Sequence, residues 1–142
     1  MTQTPQSGRS LEKELFIKAT PERVFQALTK KEDLECWFVT KAEIDLSPGG
    51  ALRFEWGPVL FNFGKILTLE PPHRLSYTWE AANPGFATLT FELTSKDDGT
   101  RFHLVHAGTG EGEDWTQYFN QGWDIHLQYL IAWLEMGKKR TW

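Results

Sequence analysis

Four histidines, one cysteine and nineteen acidic side chains are the groups in this 142-residue chain that could do chemistry. His106 follows Phe102 and Leu104 at steps of two, so a strand would turn all three to one face. His126 recurs with Phe119, Gly122, Leu130 and Trp133 at steps of three and four, the spacing of one helix face. An imidazole on an apolar face has two readings: a hydrogen-bonded core residue, or a polar contact for a bound molecule. General acid/base work would also need an Arg, Asp or Glu beside it, and the alternation places none there. His103 and His106 stand three apart, hence on opposite faces of a strand, and no other His or Cys lies at ligand spacing, so zinc is not expected. Cys36, in Asp33-Leu34-Glu35-Cys36-Trp37, has neither base nor oxyanion donor beside it and reads as a small buried residue. Glu111, Glu113 and Asp114 open a helical pattern and read as helix-start charges. Gly108-Thr109-Gly110-Glu111-Gly112 lacks the lysine of a phosphate-binding loop and reads as a flexible lip. No metal, cofactor or catalytic residue is expected.

Aromatic residues carry a second signal. They make up 14% of the chain, with seven Trp, more than an ordinary core requires. Phe54, Trp56, Tyr77, Trp79 and Phe91 fall on inward strand faces by alternation, and Trp115, Phe119 and Trp123 on the inward stripe of the last helix. With His106 and His126 they are the candidate lining of a cavity for a flat apolar ligand. Plain core packing is the competing account of each of them. Gly122, inside the helical pattern, costs about 1 kcal/mol relative to alanine, which points to a close strand contact, a bend, or room left for a ligand.

The elements that must position these residues follow from periodicity. Leu11, Leu15 and Ile17 alternate with polar residues as a first strand, although Lys13 interrupts its inner face and Phe16 its outer one. Thr20-Pro21-Glu22 reads as N-cap, N1 proline and first-turn acid of a helix running to about Leu28, and a second short helix covers Lys30–Trp37. Ala42–Leu46 and Leu52–Trp56 form a hairpin about Ser47-Pro48-Gly49-Gly50. A strand over Phe61–Leu69 ends at Pro71-Pro72, another carries Leu75, Tyr77 and Trp79, and a second hairpin turns at Asp97-Asp98-Gly99. A proline-free stretch from Gly112 to Lys138 predicts a long helix, with acids at its start and Lys138, Lys139 and Arg140 at its end. The order is strand, two short helices, six strands, long helix. Hairpin-joined strands imply a curved antiparallel sheet of about six to seven strands gripping that helix, an α+β fold.

Composition narrows the function. Fifteen basic against nineteen acidic residues give a net charge of −4, and no basic run exceeds Lys138-Lys139-Arg140, which disfavours nucleic acid as a partner. A single cysteine, no apolar h-region in Met1–Ser10 and no long apolar span lead us to expect a cytoplasmic protein without a membrane span. Met1–Ser10 is expected to be a disordered tail and residues 11–142 one domain. A homodimer through a strand edge or the tryptophan-rich helix ends, with Trp142 a candidate contact, is compatible with the sequence.

Several strings resemble the Bet v 1-like, START-like helix-grip superfamily (SRPBCC), and within it bacterial proteins similar to the carboxy-terminal domain of the activator of Hsp90 ATPase. They are Ile17-Lys18-Ala19-Thr20-Pro21-Glu22-Arg23-Val24-Phe25; Asp45 through Pro48-Gly49-Gly50; Gly64-Lys65-Ile66 leading to Glu70-Pro71-Pro72-His73-Arg74-Leu75; Gly99-Thr100-Arg101 through His106-Ala107-Gly108; and Gly122-Trp123. Cys36-Trp37-Phe38 departs from a paired-Trp segment frequent in relatives, and Gly57-Pro58 shortens a loop at the cavity mouth. The resemblance implies a helix-grip fold with a hydrophobic pocket between helix and sheet. It does not imply one chemistry, since superfamily members bind lipids, hormones and polyketides and some are cyclases, dehydratases or hydrolases. Binding of a small hydrophobic or amphipathic ligand is therefore the expected function. A chaperone-interaction module and an enzyme using an inward histidine are the alternatives.

Overall fold

The computed structural model describes residues 9–58, 60–81, 86–108 and 114–141, with the backbone alone at 9, 81, 86 and 114–118. Seven strands form one antiparallel sheet: β1 (Arg9–Ile17), β2 (Lys41–Ile44), β3 (Ala51–Trp56), β4 (Leu60–Glu70), β5 (Arg74–Ala81), β6 (Phe86–Lys96) and β7 (Gly99–Gly108). Their order across the sheet is β1-β7-β6-β5-β4-β3-β2, so every hairpin is between neighbours and β1 closes against the last strand. Three helices complete the described residues: α1 (Pro21–Thr29), α2 (Lys31–Trp37) and α3 (Asp114–Met136). This is the expected α+β helix-grip architecture. The first strand starts at Arg9, which pairs with Gly108, two residues before the expected start.

Local chemistry accounts for the element ends. Thr20 caps α1 by accepting the Arg23 N–H at 3.2 Å, and Pro21 fills the first turn, where no amide partner is needed. The Trp37 indole donates to the Ala27 carbonyl at 2.8 Å and ties α2 to α1. Lys13, which breaks the apolar alternation of β1, turns inward and reaches the flank of α3, pairing with Asp124 at 2.7 Å. Gly64 in β4 is required by packing, because a Cβ there would overlap the Thr78 carbonyl oxygen of β5.

The last helix differs from expectation at its end. It stops at Met136, and Gly137, at φ 64°, donates its amide to the Trp133 carbonyl while Lys138 donates to that of Ala132. This glycine-terminated turn leaves Lys138, Lys139 and Arg140 outside the helix rather than in its last turn. Glu111 and Glu113, the expected acids at its start, lie outside the described residues, as do residues 109, 110 and 112 of the expected lip. No helix among the described residues is long and apolar enough to cross a membrane.

Register gathers the interesting side chains at one end of the sheet. Arg9 faces Gly108, Asn62 faces Ala81, and Trp56 faces Leu60, so the ends of β3, β5 and β7 and the start of β1 converge there. The concave face at this end meets α3.

Candidate functional site

Phe38, just beyond α2, is the hub of the concave side. It is 1% exposed, and its ring stacks on Trp37 at 4.7 Å and on Trp123 at 5.6 Å. Edge contacts join it to Trp56 at 4.8 Å, His126 at 5.2 Å and Phe54 at 5.6 Å, and Trp79 lies 6.0 Å away. Offset and edge-on arrangements of this kind satisfy the ring quadrupoles as well as the burial of carbon. Five of the ten expected lining residues, Phe54, Trp56, Trp79, Trp123 and His126, therefore meet around a residue outside the expected set.

The other five divide. His106 and Phe119 form a neighbouring pair, centroids 4.5 Å apart, linked to the hub through Trp123. Tyr77 and Phe91 touch each other and join the same network from deeper in the core, Tyr77 through Phe54 at 6.0 Å and Phe91 through Trp123 at 6.3 Å. Burial pushes the Tyr77 phenol well above its ordinary range. The side chain of Trp115 lies outside the described residues, as does Trp142. Among the described side chains the concave side is packed ring against ring, and Trp56, Phe119 and His126 keep partial exposure at the convergent end.

Two imidazoles supply the polarity of this cluster. His106 is 1% exposed, and its Nδ1 accepts the Trp123 indole N–H at 2.8 Å. Burial lowers its pKa to about 4. His126 accepts an N–H from the Arg140 guanidinium on Nδ1 at 2.9 Å. Its pKa is also lowered to about 4, by burial first and by the Arg140 charge second. Both rings are neutral near pH 7.

Sequence reasoning missed three members of the site. Arg140 lies fourteen residues after His126, beyond the helix, so no helical spacing joins them. Tertiary folding returns it: its backbone N–H donates to the Cys36 carbonyl at 2.8 Å, and its guanidinium lies 4.4 Å over the Tyr129 ring. Asn62, on the inward face of β4, accepts the Trp56 indole N–H at 2.8 Å. It lies within the expected strand Phe61–Leu69, but a single amide among phenylalanines carried no chemical signal. Phe38, with Leu34 and Trp37, was expected on the sheet-facing side of the second short helix, as the structure places it, but not among the lining residues.

Gly122 makes no close strand contact: among the described residues nothing lies within 4 Å of where its Cβ would be. Cys36 is partly exposed rather than buried, with Sγ 3.1 Å from the Glu32 carbonyl and a thiol pKa raised chiefly by desolvation. His103 is on the convex face, 2.8 Å from a Glu12 carboxylate oxygen, and does not approach His106. A polar surface hollow lined by Glu70, His73, Arg74, Glu92, Leu93 and Thr94 lies at the opposite end of the sheet.

A seven-stranded antiparallel sheet curved around a carboxy-terminal helix, with an aromatic interior, defines a helix-grip, SRPBCC-type domain. Residues 18–135 match the model of the activator of Hsp90 ATPase homolog 1-like proteins, and the chain belongs to that family. No curated protein sequence matches the chain. Among solved structures, CalU16 from Micromonospora echinospora is 26% identical with a TM-score of 0.79, covering 95% of this chain and 83% of that one. DynU16, from the dynemicin biosynthetic locus, is 20% identical with a TM-score of 0.84. The match covers 92% of this chain but only 48% of DynU16, so the chain spans about half of that protein. The solution structure of the Aha1 dimer from Colwellia psychrerythraea is 23% identical with a TM-score of 0.78, covering 92% and 98%.

Proposed function

We propose that this domain binds a small hydrophobic or amphipathic molecule between α3 and the concave face of the sheet, at the end where β3, β5 and β7 terminate. The observation that carries this reading is the cluster of Trp56, Trp79, Trp123, Phe119, His106 and His126 on the concave face, with Phe119 and His126 flanking Gly122 on α3. Burying the face of one large aromatic contributes roughly 1.5–3 kcal/mol, so three or four such contacts supply about the 8 kcal/mol of a micromolar complex. An entering ligand displaces ring–ring contacts and replaces them with its own.

Native mass spectrometry of the protein purified without detergent, followed by organic extraction, tests this. A discrete small-molecule adduct, lost in Trp56→Ala, is the expected result. An empty protein whose tryptophan fluorescence stays unchanged with a panel of apolar aromatics would sink the reading.

Acid/base catalysis fits the site less well. Among the described residues the only charged group beside either imidazole is Arg140, which weakens His126 as a base instead of sharpening it. Unchanged turnover of any candidate substrate after His106→Ala and His126→Ala would remove both from a mechanism. A chaperone partner is supported by the family alone. Retention of the host's Hsp90 homologue at stoichiometric levels is what that reading requires.

Assembly with a second copy has one structural support. On the convex face of β4, Phe61 and Phe63 pack at 4.9 Å under the Arg53 guanidinium, with Phe63 and Leu67 more than 40% exposed. The surrounding Lys41, Arg53 and Lys65 balance Glu43, Glu55 and Glu80, so such a face is self-complementary. Sedimentation equilibrium should show a dimer that Phe63→Lys dissociates; a monomer at all concentrations rejects it.

A further inference from the structure

The neighbours of His126 settle which of its nitrogens donates. A guanidinium has hydrogens and no acceptor. Arg140 Nη1 lies 2.9 Å from His126 Nδ1, so Nδ1 holds a lone pair, and a neutral ring then carries its hydrogen on Nε2. The same reasoning fixes His106, whose Nδ1 faces the donor-only indole nitrogen of Trp123 at 2.8 Å. Each imidazole in the cluster is thus held as the Nε2–H tautomer by a neighbour that cannot accept.

Position adds to this. On α3, Gly122 comes three residues after Phe119 and four before His126, so both rings border the place where the helix lacks a side chain. His126 touches Trp56 at 4.9 Å, Phe38 at 5.2 Å and Trp123 at 5.8 Å, three rings that offer no oxygen to its N–H.

Resting on the binding reading above, we propose that the ligand is a flat apolar molecule bearing a hydrogen-bond acceptor, such as a ketone, quinone or phenolate oxygen, received by the Nε2–H of His126. Arg140 is a positioning residue: its guanidinium holds the ring in the tautomer and orientation that make this donor. An amine or ammonium ligand is disfavoured, because Nδ1 is already occupied by Arg140.

A matched pair of probes tests the class. Fluorenone and fluorene share one skeleton and differ by a carbonyl oxygen, and both can be titrated against tryptophan fluorescence. We expect fluorenone to bind about fivefold to tenfold more tightly, the ratio one neutral hydrogen bond produces. His126→Phe should bring the two affinities together, the ratio being read within the variant whatever its effect on fluorene binding itself. Equal affinities for the two probes in the wild type would overturn the acceptor inference while leaving the binding reading intact. Binding of neither would overturn both. A ratio that survives His126→Phe would remove His126 as the donor. Independently of any variant's folding, ¹⁵N NMR of the wild-type protein should show His126 protonated on Nε2; a proton on Nδ1 defeats the proposal.

Discussion

A buried imidazole is a base that its surroundings have weakened, and the consequence can be read in the pH dependence of folding. His106 and His126 have an ordinary value of 6.5 in the unfolded chain and about 4 in the folded one. Between those values the unfolded chain binds more protons, so the stability held above pH 6.5 declines as the pH falls toward 4. A tenfold change in proton affinity is worth about 1.4 kcal/mol, so the two rings together cost several kcal/mol at acid pH. Urea unfolding between pH 7 and 4 should show that decline, shallower in His126→Gln; a flat profile would mean that the rings titrate normally. Arg140→Met removes the donor and the charge beside His126, and its pKa should move back toward the ordinary value in an NMR titration. The inward placement of both histidines was legible, because strand and helix periods assign faces. Arg140 was not, because its contact with His126 is made by the chain turning back after α3.

At the scale of elements, α3 carries a local sacrifice that can be undone. Gly122 has an ordinary backbone conformation and, among the described residues, open space where a Cβ would stand. Gly122→Ala should therefore stabilise the fold by about 0.5–1 kcal/mol through helix propensity. If the gap receives the ligand, the same change weakens binding. Thermal unfolding and probe titration on one variant measure both, and a gain in Tm with unchanged affinity would place the ligand elsewhere. The three helices are joined at Asp33, 8% exposed, which accepts from Arg23 Nη2 and from the Trp133 indole, each at 2.8 Å. These bonds hold its carboxyl below the usual range against the opposing effect of burial, the largest single influence on it. Asp33→Ala leaves both donors without their acceptor and should cost roughly 1–3 kcal/mol in denaturant unfolding; a neutral effect would mean that water replaces it. Sequence reasoning placed Asp33 in a helix and saw no role for it, since its partners stand ten residues before it and a hundred after.

For the whole molecule, an open sheet must manage its two edges. At β2, α2 does so with side chains: Glu35 accepts the Ala42 N–H at 2.9 Å, and Lys31 donates to the Ala42 carbonyl at 3.1 Å. The two are themselves paired at 2.6 Å, so an ion pair stands where another strand would add. At β1, α3 approaches through Lys13 and through Glu135, which accepts the Lys18 N–H at 2.9 Å. The β2 edge, one of the dimer routes compatible with the sequence, is thus covered at Ala42. Lys31→Ala with Glu35→Ala should expose it and produce concentration-dependent association in light scattering; an unchanged monomer–dimer balance would show that the edge is blocked by other means. The sequence by itself determined the order of ten elements and their faces, because alternation, helical spacing, caps and turn residues are local or periodic signals, and its motif strings carried the resemblance that implies the helix-grip fold. Tertiary structure alone decided that Phe38 is the hub, that Lys138–Arg140 leave the helix, that Asn62 and Arg140 join the aromatic cluster, and how tightly the concave side is packed. Those features depend on contacts between residues far apart in the chain, where ring shapes and donor positions must fit in three dimensions and no repeating spacing records the outcome.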